Sequence, residues 1–168
     1  MDPEYIAPGI VYVDIDSLTE WEDNPRFNDD AVPEVAASIK KYGFLQPLVV
    51  DQFNKVWAGN TRLKALRVLG MKKVPVIRVE HLSKADLKAF ALADNKTHEL
   101  AKWDEKKLLG GMKLDEIAQI PGFTEKDINH LNSVLLKAAH IDEIRDQIEK
   151  GSSKVAHTCP KCNHTWTA

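Results

Sequence analysis

The chain is poor in cysteine and lacks any long apolar run. Its 168 residues contain two cysteines, too few for a disulfide framework, and no hydrophobic stretch approaches the roughly 18 residues of a membrane span. The N-terminus opens Met-Asp-Pro-Glu, without the basic-then-apolar order of a signal peptide. We therefore expect a cytoplasmic protein with no membrane partner, in which 43% hydrophobic residues suffice for one core and a small appendage.

A strong net charge is also absent, but the charges are unevenly distributed. The formal net charge is −2, yet residues 1–30 carry nine acidic side chains against Arg26 alone. Residues 60–78 carry six Lys or Arg residues and no acidic one. Such a segment is typical of a surface facing phosphates, although a solvated helix face beside an acidic neighbour has the same composition. On the first interpretation the DNA-contacting side chains are Lys64, Arg67, Lys72 and Lys73.

Residues 57–70 predict a strand end, a tight turn and a helix. Gly59 permits the turn, and Asn60 or Thr61 can cap the helix. The free amides of the first helical turn, with the charge of Arg62 beside them, favour an anion, and phosphate is the expected one. The same strand-turn-helix order also builds ordinary α/β units, so a purely architectural role is the alternative.

Hydrophobic periodicity predicts strands and helices in both halves of the chain. Strands are expected at 10–15, 48–50, 56–58 and 74–79, with a hairpin between the second and third. Helices are expected from an Asp29 or Asp30 cap to Gly43, over 60–69, from Ser83, near Leu108 and Ile117, and beyond Thr124. The polar run from Asp94 to His98 interrupts the apolar pattern of the helix that begins at Ser83.

The last long helix carries a stripe of apolar residues at helical spacing. We expect this stripe to pack within its own domain, with association of two chains through the helix as the alternative. The helices near 114–118 and 123–128 also fit a helix-turn-helix pair, but their acidic residues suit a DNA groove poorly. The stripe comprises Ile128, Leu131, Leu135, Ile141, Ile144 and Ile148.

The C-terminal residues have the spacing of a zinc knuckle. Cys159 and Cys162 lie in a Cys-x-x-Cys pair, whose thiolates bind one tetrahedral ion. His157 and His164 complete a ligand set within the chain, or a second chain supplies another cysteine pair and the shared zinc links a homodimer. The alternatives are a reduced pair without metal and a redox motif, which the position outside any strand-helix unit disfavours.

Three segments, taken in order, resemble one known family. They are Asn24-Pro25-Arg26, the run Gly43-Phe44-Leu45-Gln46-Pro47-Leu48-Val49-Val50, and Ala58-Gly59-Asn60-Thr61-Arg62. With Val74-Pro75-Val76-Ile77 downstream, residues 8–100 resemble the ParB N-terminal domain of the ParB/sulfiredoxin superfamily, of the phage or methyltransferase-associated type. The resemblance implies an α+β fold with a small mixed sheet over 1–100. A helical extension over 101–150 follows, then a linker and zinc knuckle over 151–168.

The resemblance also implies a nucleotide pocket, for CTP or ATP with Mg²⁺. Family members place the glycine-glutamine-proline segment beside the base, which makes Gly43, Phe44 and Gln46 base-side candidates. The glycine turn holds the phosphates, and Asn95 belongs to a later box that contacts metal or phosphate. The remaining nucleotide-binding candidates are Arg26, Gly59, Asn60, Thr61 and Arg62.

Departures from the family pattern bear on catalysis. Asn60 and Thr61 stand where the family turn has a glutamate and a first arginine, which removes a carboxylate and argues against hydrolysis. Asn60 also matches the sulfiredoxin cysteine position, and an amide is no nucleophile, so sulfinic acid reduction is excluded. The sequence selects no catalytic residue, because Asp14, Asp16, His98 and Glu99 are all available as a general base.

The leading hypothesis is a nucleotide-binding protein that acts on or beside DNA, of phage or mobile-element origin. One alternative is an enzyme that transfers a phosphoryl group or cleaves a phosphodiester in the same pocket. The other is a protein-interaction adaptor whose nucleotide site is vestigial.

Overall fold

The computed structural model describes residues 9–151, 156–158, 161–162 and 165–167. Among the helices described, none combines the length and apolarity that crossing a membrane requires. The first part contains strands β1 (Ile10–Asp14), β2 (Thr19–Glu20), β3 (Leu48–Asp51), β4 (Lys55–Ala58) and β5 (Lys73–Val79), and helices α1 (Val32–Tyr42), α2 (Asn60–Val68) and α3 (Lys84–His98).

The five strands form one mixed sheet in the order β1-β5-β3-β4-β2. β1 runs antiparallel to β5, β3 runs parallel to β5, and β4 closes an antiparallel hairpin with β3. Asn54 takes the left-handed conformation in the hairpin turn, at φ 64°, which asparagine tolerates better than most residues. The predicted α+β class and its four strands are confirmed, whereas the two-residue β2 is too short to give a periodic signal.

Alternation along the strands builds a core on each face of the sheet. Leu48 and Val50 of β3 face one way and pack with Leu63 and Leu66 of α2. Val49, between them, packs on the opposite face with the other core. That second core comprises Trp21, Trp57, Val79, Leu87 and Ala91, so that the sheet lies between α2 and α3.

Helix ends depart from the predicted caps. A 3₁₀ turn at Asp29–Ala31 leads into α1 without a side-chain cap, so the expected aspartate cap is wrong. Gly43 ends α1 at φ 87°, as predicted. Gly59 occupies the N-cap position of α2 at φ 99°, and Asn60 and Thr61 lie inside the helix. The expected side-chain cap by either residue is therefore wrong.

α3 continues through the polar run that interrupts its apolar pattern. Ser83 caps its N-terminus by accepting from the Asp86 amide, as predicted. The helix then extends to His98, although burial ends at Ala91. The polar run changes the environment of the helix surface and leaves the helical backbone intact. Hydrogen bonding within a helix needs no apolar side chains.

Contacts divide the chain into two compact units, 1–103 with 119–123, and 104–118 with 124–168. The second unit contains α4 (Glu105–Gly111), α5 (Leu114–Ile117) and α6 (Glu125–Gly151). Ile117 and Leu131 are buried there, but Leu135, Ile141, Ile144 and Ile148 are between 38% and 66% exposed. The expectation that the α6 stripe packs within its own domain is wrong beyond Leu131.

A small hairpin follows α6. It pairs β6 (Ala156–Thr158) with β7 (Thr165–Thr167) in antiparallel register, with His157 opposite Trp166. Cys162 lies in the connecting turn and is exposed. The predicted ligands Cys159 and His164 fall outside the described residues. Over the described ranges, no three His, Cys, Asp or Glu side chains converge as a metal site.

Candidate functional site

A cleft of about 780 Å³ opens in the first unit, a volume typical of small-molecule sites. The segment before α1, the connection after it, and the facing ends of α2 and α3 form its walls. All nine residues predicted to bind nucleotide line it: Arg26, Gly43, Phe44, Gln46, Gly59, Asn60, Thr61, Arg62 and Asn95.

The N-terminus of α2 offers unsatisfied donors to the cleft. The first intrahelical bond runs from the Leu63 amide to the Gly59 carbonyl. The amides of Asn60, Thr61 and Arg62 precede that bond, and none has an acceptor among the described residues. Such amides, together with the helix dipole, favour an anion at this end of the cleft.

Gly59 is required by both its backbone and its surroundings. Its φ of 99° lies in the left-handed region. A Cβ there would lie 2.7 Å from Leu48 Cδ2 and 3.0 Å from Arg62 Nε. The glycine thus lets the Arg62 guanidinium lie directly over the turn that opens α2.

Arg62 ties the connection after α1 to the N-terminus of α2. Its Nη1 donates to the Gln46 carbonyl at 2.8 Å and to the Pro47 carbonyl at 3.2 Å. Burial lowers the pKa of Arg62, while the nearby Asp94 carboxylate acts in the opposite direction. A guanidinium nevertheless stays charged at neutral pH. Arg62 therefore braces the connection after α1 and supplies a cation at the cleft, a double role that the sequence did not indicate.

The Asn60 side chain is already satisfied within the protein. It is 7% exposed, its Oδ1 accepts from the Trp21 amide at 3.2 Å, and its Nδ2 donates to the Val56 carbonyl at 3.3 Å. Trp21 in turn packs on Trp57, with ring centroids 5.3 Å apart. Asn60 thus joins β4 to the segment after β2, and its main-chain N–H is the group left for a ligand.

The other side of the cleft is formed by Arg26 and the C-terminal end of α3. Arg26 Nη1 donates to Asn95 Oδ1 at 2.7 Å, and Asn95 Nδ2 donates to the Ala91 carbonyl at 2.9 Å. Asp94 and His98, one helical turn apart on α3, line the same space. Within the described part of the chain, Asp94 is the one carboxylate that lines the cleft.

One of the four candidate bases lies at the cleft. His98 lines it, whereas Asp14, Asp16 and Glu99 do not. The Asp14 carboxylate instead accepts from the Asp16 amide in a local turn. A hydrogen bond from Lys96 lowers the pKa of Glu99. Of these four candidates, His98 is therefore the one placed for proton transfer in the cleft.

The predicted DNA-contacting cations fall into two pairs. Lys64 Nζ lies 2.6 Å from Asp29 Oδ1, a bond that raises the Lys64 pKa, and Arg67 Nη1 lies 2.6 Å from Glu20 Oε1. The acidic N-terminal segment therefore pairs with these two cations of α2 within the chain. Lys72 and Lys73 are exposed, and neither has a carboxylate partner in the described part of the chain.

Sequence reasoning did not single out several other residues that line the cleft, among them Asn24, Phe27, Tyr42, Leu45 and Asp94. Asp94 had a usable signal, because it lies four residues before His98 and so shares its helix face. Phe27 had none, because an apolar residue in a loop is ordinarily expected to be buried.

Comparison with known proteins assigns the fold to a family. The profile of the ParB N-terminal domain matches residues 5–96. The chain belongs to the ParB N-terminal domain family. Stage 0 sporulation protein J of Bacillus subtilis is 30% identical over 148 residues, which cover 82% of this chain and 51% of that protein. Chromosome-partitioning protein ParB of Myxococcus xanthus is 26% identical over 167 residues, covering 89% and 53%.

This ParB-family chain thus spans about half the length of these two relatives. Among solved structures, it resembles the C-terminally truncated chromosome-partitioning protein ParB from Caulobacter crescentus, complexed with CTP-γ-S. The TM-score is 0.58 at 22% identity, over 79% of this chain and 89% of that one. This similarity supports the ParB fold. The ligand must be inferred from the residues that line this cleft.

Proposed function

We propose that this ParB-family chain binds a nucleoside triphosphate, CTP or ATP, in the cleft and acts on or beside DNA. The observation that carries the proposal is the meeting of three free amides of α2 with Arg62 and Arg26 in one cleft of suitable volume. Backbone amides and guanidinium groups are the usual partners of phosphate oxygens. The Caulobacter ParB described with CTP-γ-S makes CTP the first nucleotide to test.

The phosphates would lie at the N-terminus of α2, and the base beside Gly43, Phe44 and Gln46. Mg²⁺ is commonly bound through one or two carboxylates plus substrate phosphates. Asp94 fits that role as a carboxylate that lines the cleft. Asn60 does not, because both ends of its amide are already bonded. Bound Mg²⁺ would neutralise phosphate charge there.

Isothermal titration with CTP and ATP in Mg²⁺ tests the proposal. Arg62→Ala should weaken binding about 10- to 150-fold, the range for hydrogen bonds to charged groups, and Arg62→Lys should restore part of it. Arg145→Ala, an exposed arginine on α6, is the matched control and should bind like the parent. Because Arg62 also braces the Gln46–Pro47 segment, thermal unfolding must show that each variant is folded. Equal affinity of folded Arg62→Ala and parent would contradict the proposal.

A second candidate function is phosphoryl transfer or phosphodiester cleavage, which the position of His98 in the cleft favours. Product analysis after incubation separates the two. Unchanged nucleotide supports binding alone, whereas turnover that is lost in His98→Gln supports catalysis.

If no nucleotide binds, the result favours the adaptor hypothesis. The exposed stripe of α6 is then the proposed contact surface, and a second copy of the chain is the first candidate partner.

Zinc at His157, Cys159, Cys162 and His164 is also part of the proposal, supported by the Cys-x-x-Cys spacing and the β6–β7 hairpin around it. Metal analysis should find one zinc per chain, or one per two chains if knuckles pair, and Cys159→Ser should release it. A metal-free preparation with an intact hairpin would contradict it. The phage or mobile-element origin stays a prediction.

A further inference from the structure

Residues 24–29, here called the strap, are pinned at both ends beside the cleft. At one end the Arg26 side chain bonds Asn95 at 2.7 Å, and its amide bonds Asn24 Oδ1 at 3.2 Å. At the other end Lys64 Nζ contacts Asn28 Oδ1 at 3.2 Å and Asp29 Oδ1 at 2.6 Å. The strap is therefore held to α3 and to α2, on either side of a single residue.

That residue is Phe27, whose side chain is fully exposed although its neighbours are bonded. It lines the cleft together with two other exposed apolar side chains, Tyr42 and Leu45. Leaving a phenyl ring in water forgoes the burial free energy of a large apolar group. An uncovered ring between two bonded residues, in the same cleft as the proposed phosphate site, fits a ligand that is charged at one end and flat and apolar at the other.

We propose that Phe27 is a stacking platform for the nucleobase of the bound nucleotide. The inference rests on the proposed function and names a base contact outside the segment Gly43–Gln46. Every base has a π-face, so an aromatic platform adds affinity without choosing among bases. The choice is then left to polar groups such as Gln46. Lys64 and Asp29 act as positioning residues, because their ion pair fixes the strap that presents the ring.

The test compares CTP with inorganic tripolyphosphate, which has the phosphates but no base. Titrations use the full chain with Phe27→Ala, Phe27→Tyr and Phe27→Leu. Phe53→Ala is the matched control, because Phe53 is 77% exposed in the β3–β4 turn and does not line the cleft. Phe27→Ala should weaken CTP binding about 5- to 150-fold. It should leave tripolyphosphate binding unchanged, with Tyr restoring CTP affinity and Leu failing to do so.

Different outcomes separate the two proposals. If the parent binds neither CTP, ATP nor tripolyphosphate, the proposed function fails and the platform with it. If the parent binds CTP and Arg62→Ala weakens both ligands, but Phe27→Ala binds CTP like the parent, the platform alone is wrong. Equal loss of both ligands in Phe27→Ala, or a changed oligomeric state with unchanged affinity, would likewise overturn it and assign Phe27 to the strap's structure or to a protein contact.

Discussion

Gly59 shows how one residue sets the geometry of the candidate site. Its positive φ turns the chain from β4 into α2, and its missing side chain leaves room for Leu48 and Arg62. Both requirements are met only by glycine. Gly70 provides a comparison, because it also has a positive φ, at 70°, but nothing lies within 4 Å of where its Cβ would be.

Gly59→Ala should therefore destabilise the protein more than Gly70→Ala. Each variant incurs the cost of a left-handed alanine, roughly 1–2 kcal/mol. Gly59→Ala adds crowding against the fully buried Leu48, for a further cost of about 1–3 kcal/mol. Denaturant unfolding of the two variants measures the difference. Equal destabilisation would show that the close contacts at Gly59 are relieved at no cost.

What the sequence could predict at this scale was the type of turn and the set of residues around it. The glycine-turn pattern predicted an anion site, and the ordered motifs grouped nine residues that all line the cleft. Side-chain partners were not predictable. The bonds from Asn60 to Trp21 and from Arg62 to Gln46 join residues 39 and 16 positions apart, and only the folded sheet brings them close.

The two longest helices show what periodicity can and cannot establish. The presence of α3 and α6 and the residues at which they begin were predictable, because Ser83 and Thr124 have the sequence pattern of helix caps. The unbroken course of α3 was not, since its last turns face the cleft and lack apolar residues. Periodicity also could not indicate that the α6 stripe is exposed, because an exposed stripe and a buried one have the same spacing.

The cap of α6 should make its first turn sensitive to acid. Hydrogen bonds from the Thr124 hydroxyl, at 2.6 Å, and from its amide, at 2.8 Å, lower the pKa of Asp127 below its ordinary 3.8. Because the Asp127 pKa is lower in the folded state, its ionised carboxylate stabilises the cap above pH 3.8. This stabilisation is lost as the pH falls from 3.8 through the folded-state pKa.

Amide exchange of residues 125–128 between pH 6 and pH 2 measures this effect. Protection should decline at the acid end, and Asp127→Asn should remove most of that pH dependence. Thr124→Ala should lower protection at every pH by about 0.5–2 kcal/mol. The account of this helix end would be wrong if the parent and Asp127→Asn shared one pH profile.

At the scale of the whole molecule, the acidic and basic segments of the sequence partly neutralise one another. Glu20 and Asp29 pair with Arg67 and Lys64, which the linear sequence could not reveal because the partners lie far apart along the chain. The fold class was predictable because the motifs occur along the chain in the order that is typical of the family. The pairing was not, because it depends on how the segment before α1 crosses α2.

The salt dependence of DNA binding should therefore rest chiefly on Lys72 and Lys73. Replacing both with alanine should reduce the slope of log affinity against log salt by about two units, roughly one for each phosphate contact. Replacing Lys64 and Arg67 should change it less, because those cations already have carboxylate partners. Lys84 and Lys88, exposed on α3, are the control pair and should leave the slope unchanged. Affinity independent of salt would contradict DNA binding through this surface.

The most direct test of the central claim is a map of backbone amide chemical shifts on addition of CTP and Mg²⁺. The free amides at the start of α2 predict the largest changes at Asn60, Thr61 and Arg62, with Gly59 beside them. Smaller changes are expected along the Gly43–Gln46 segment and at Phe27. Saturable shifts confined to residues outside the cleft, or none at millimolar nucleotide, would contradict the assignment of this cleft as a nucleotide site.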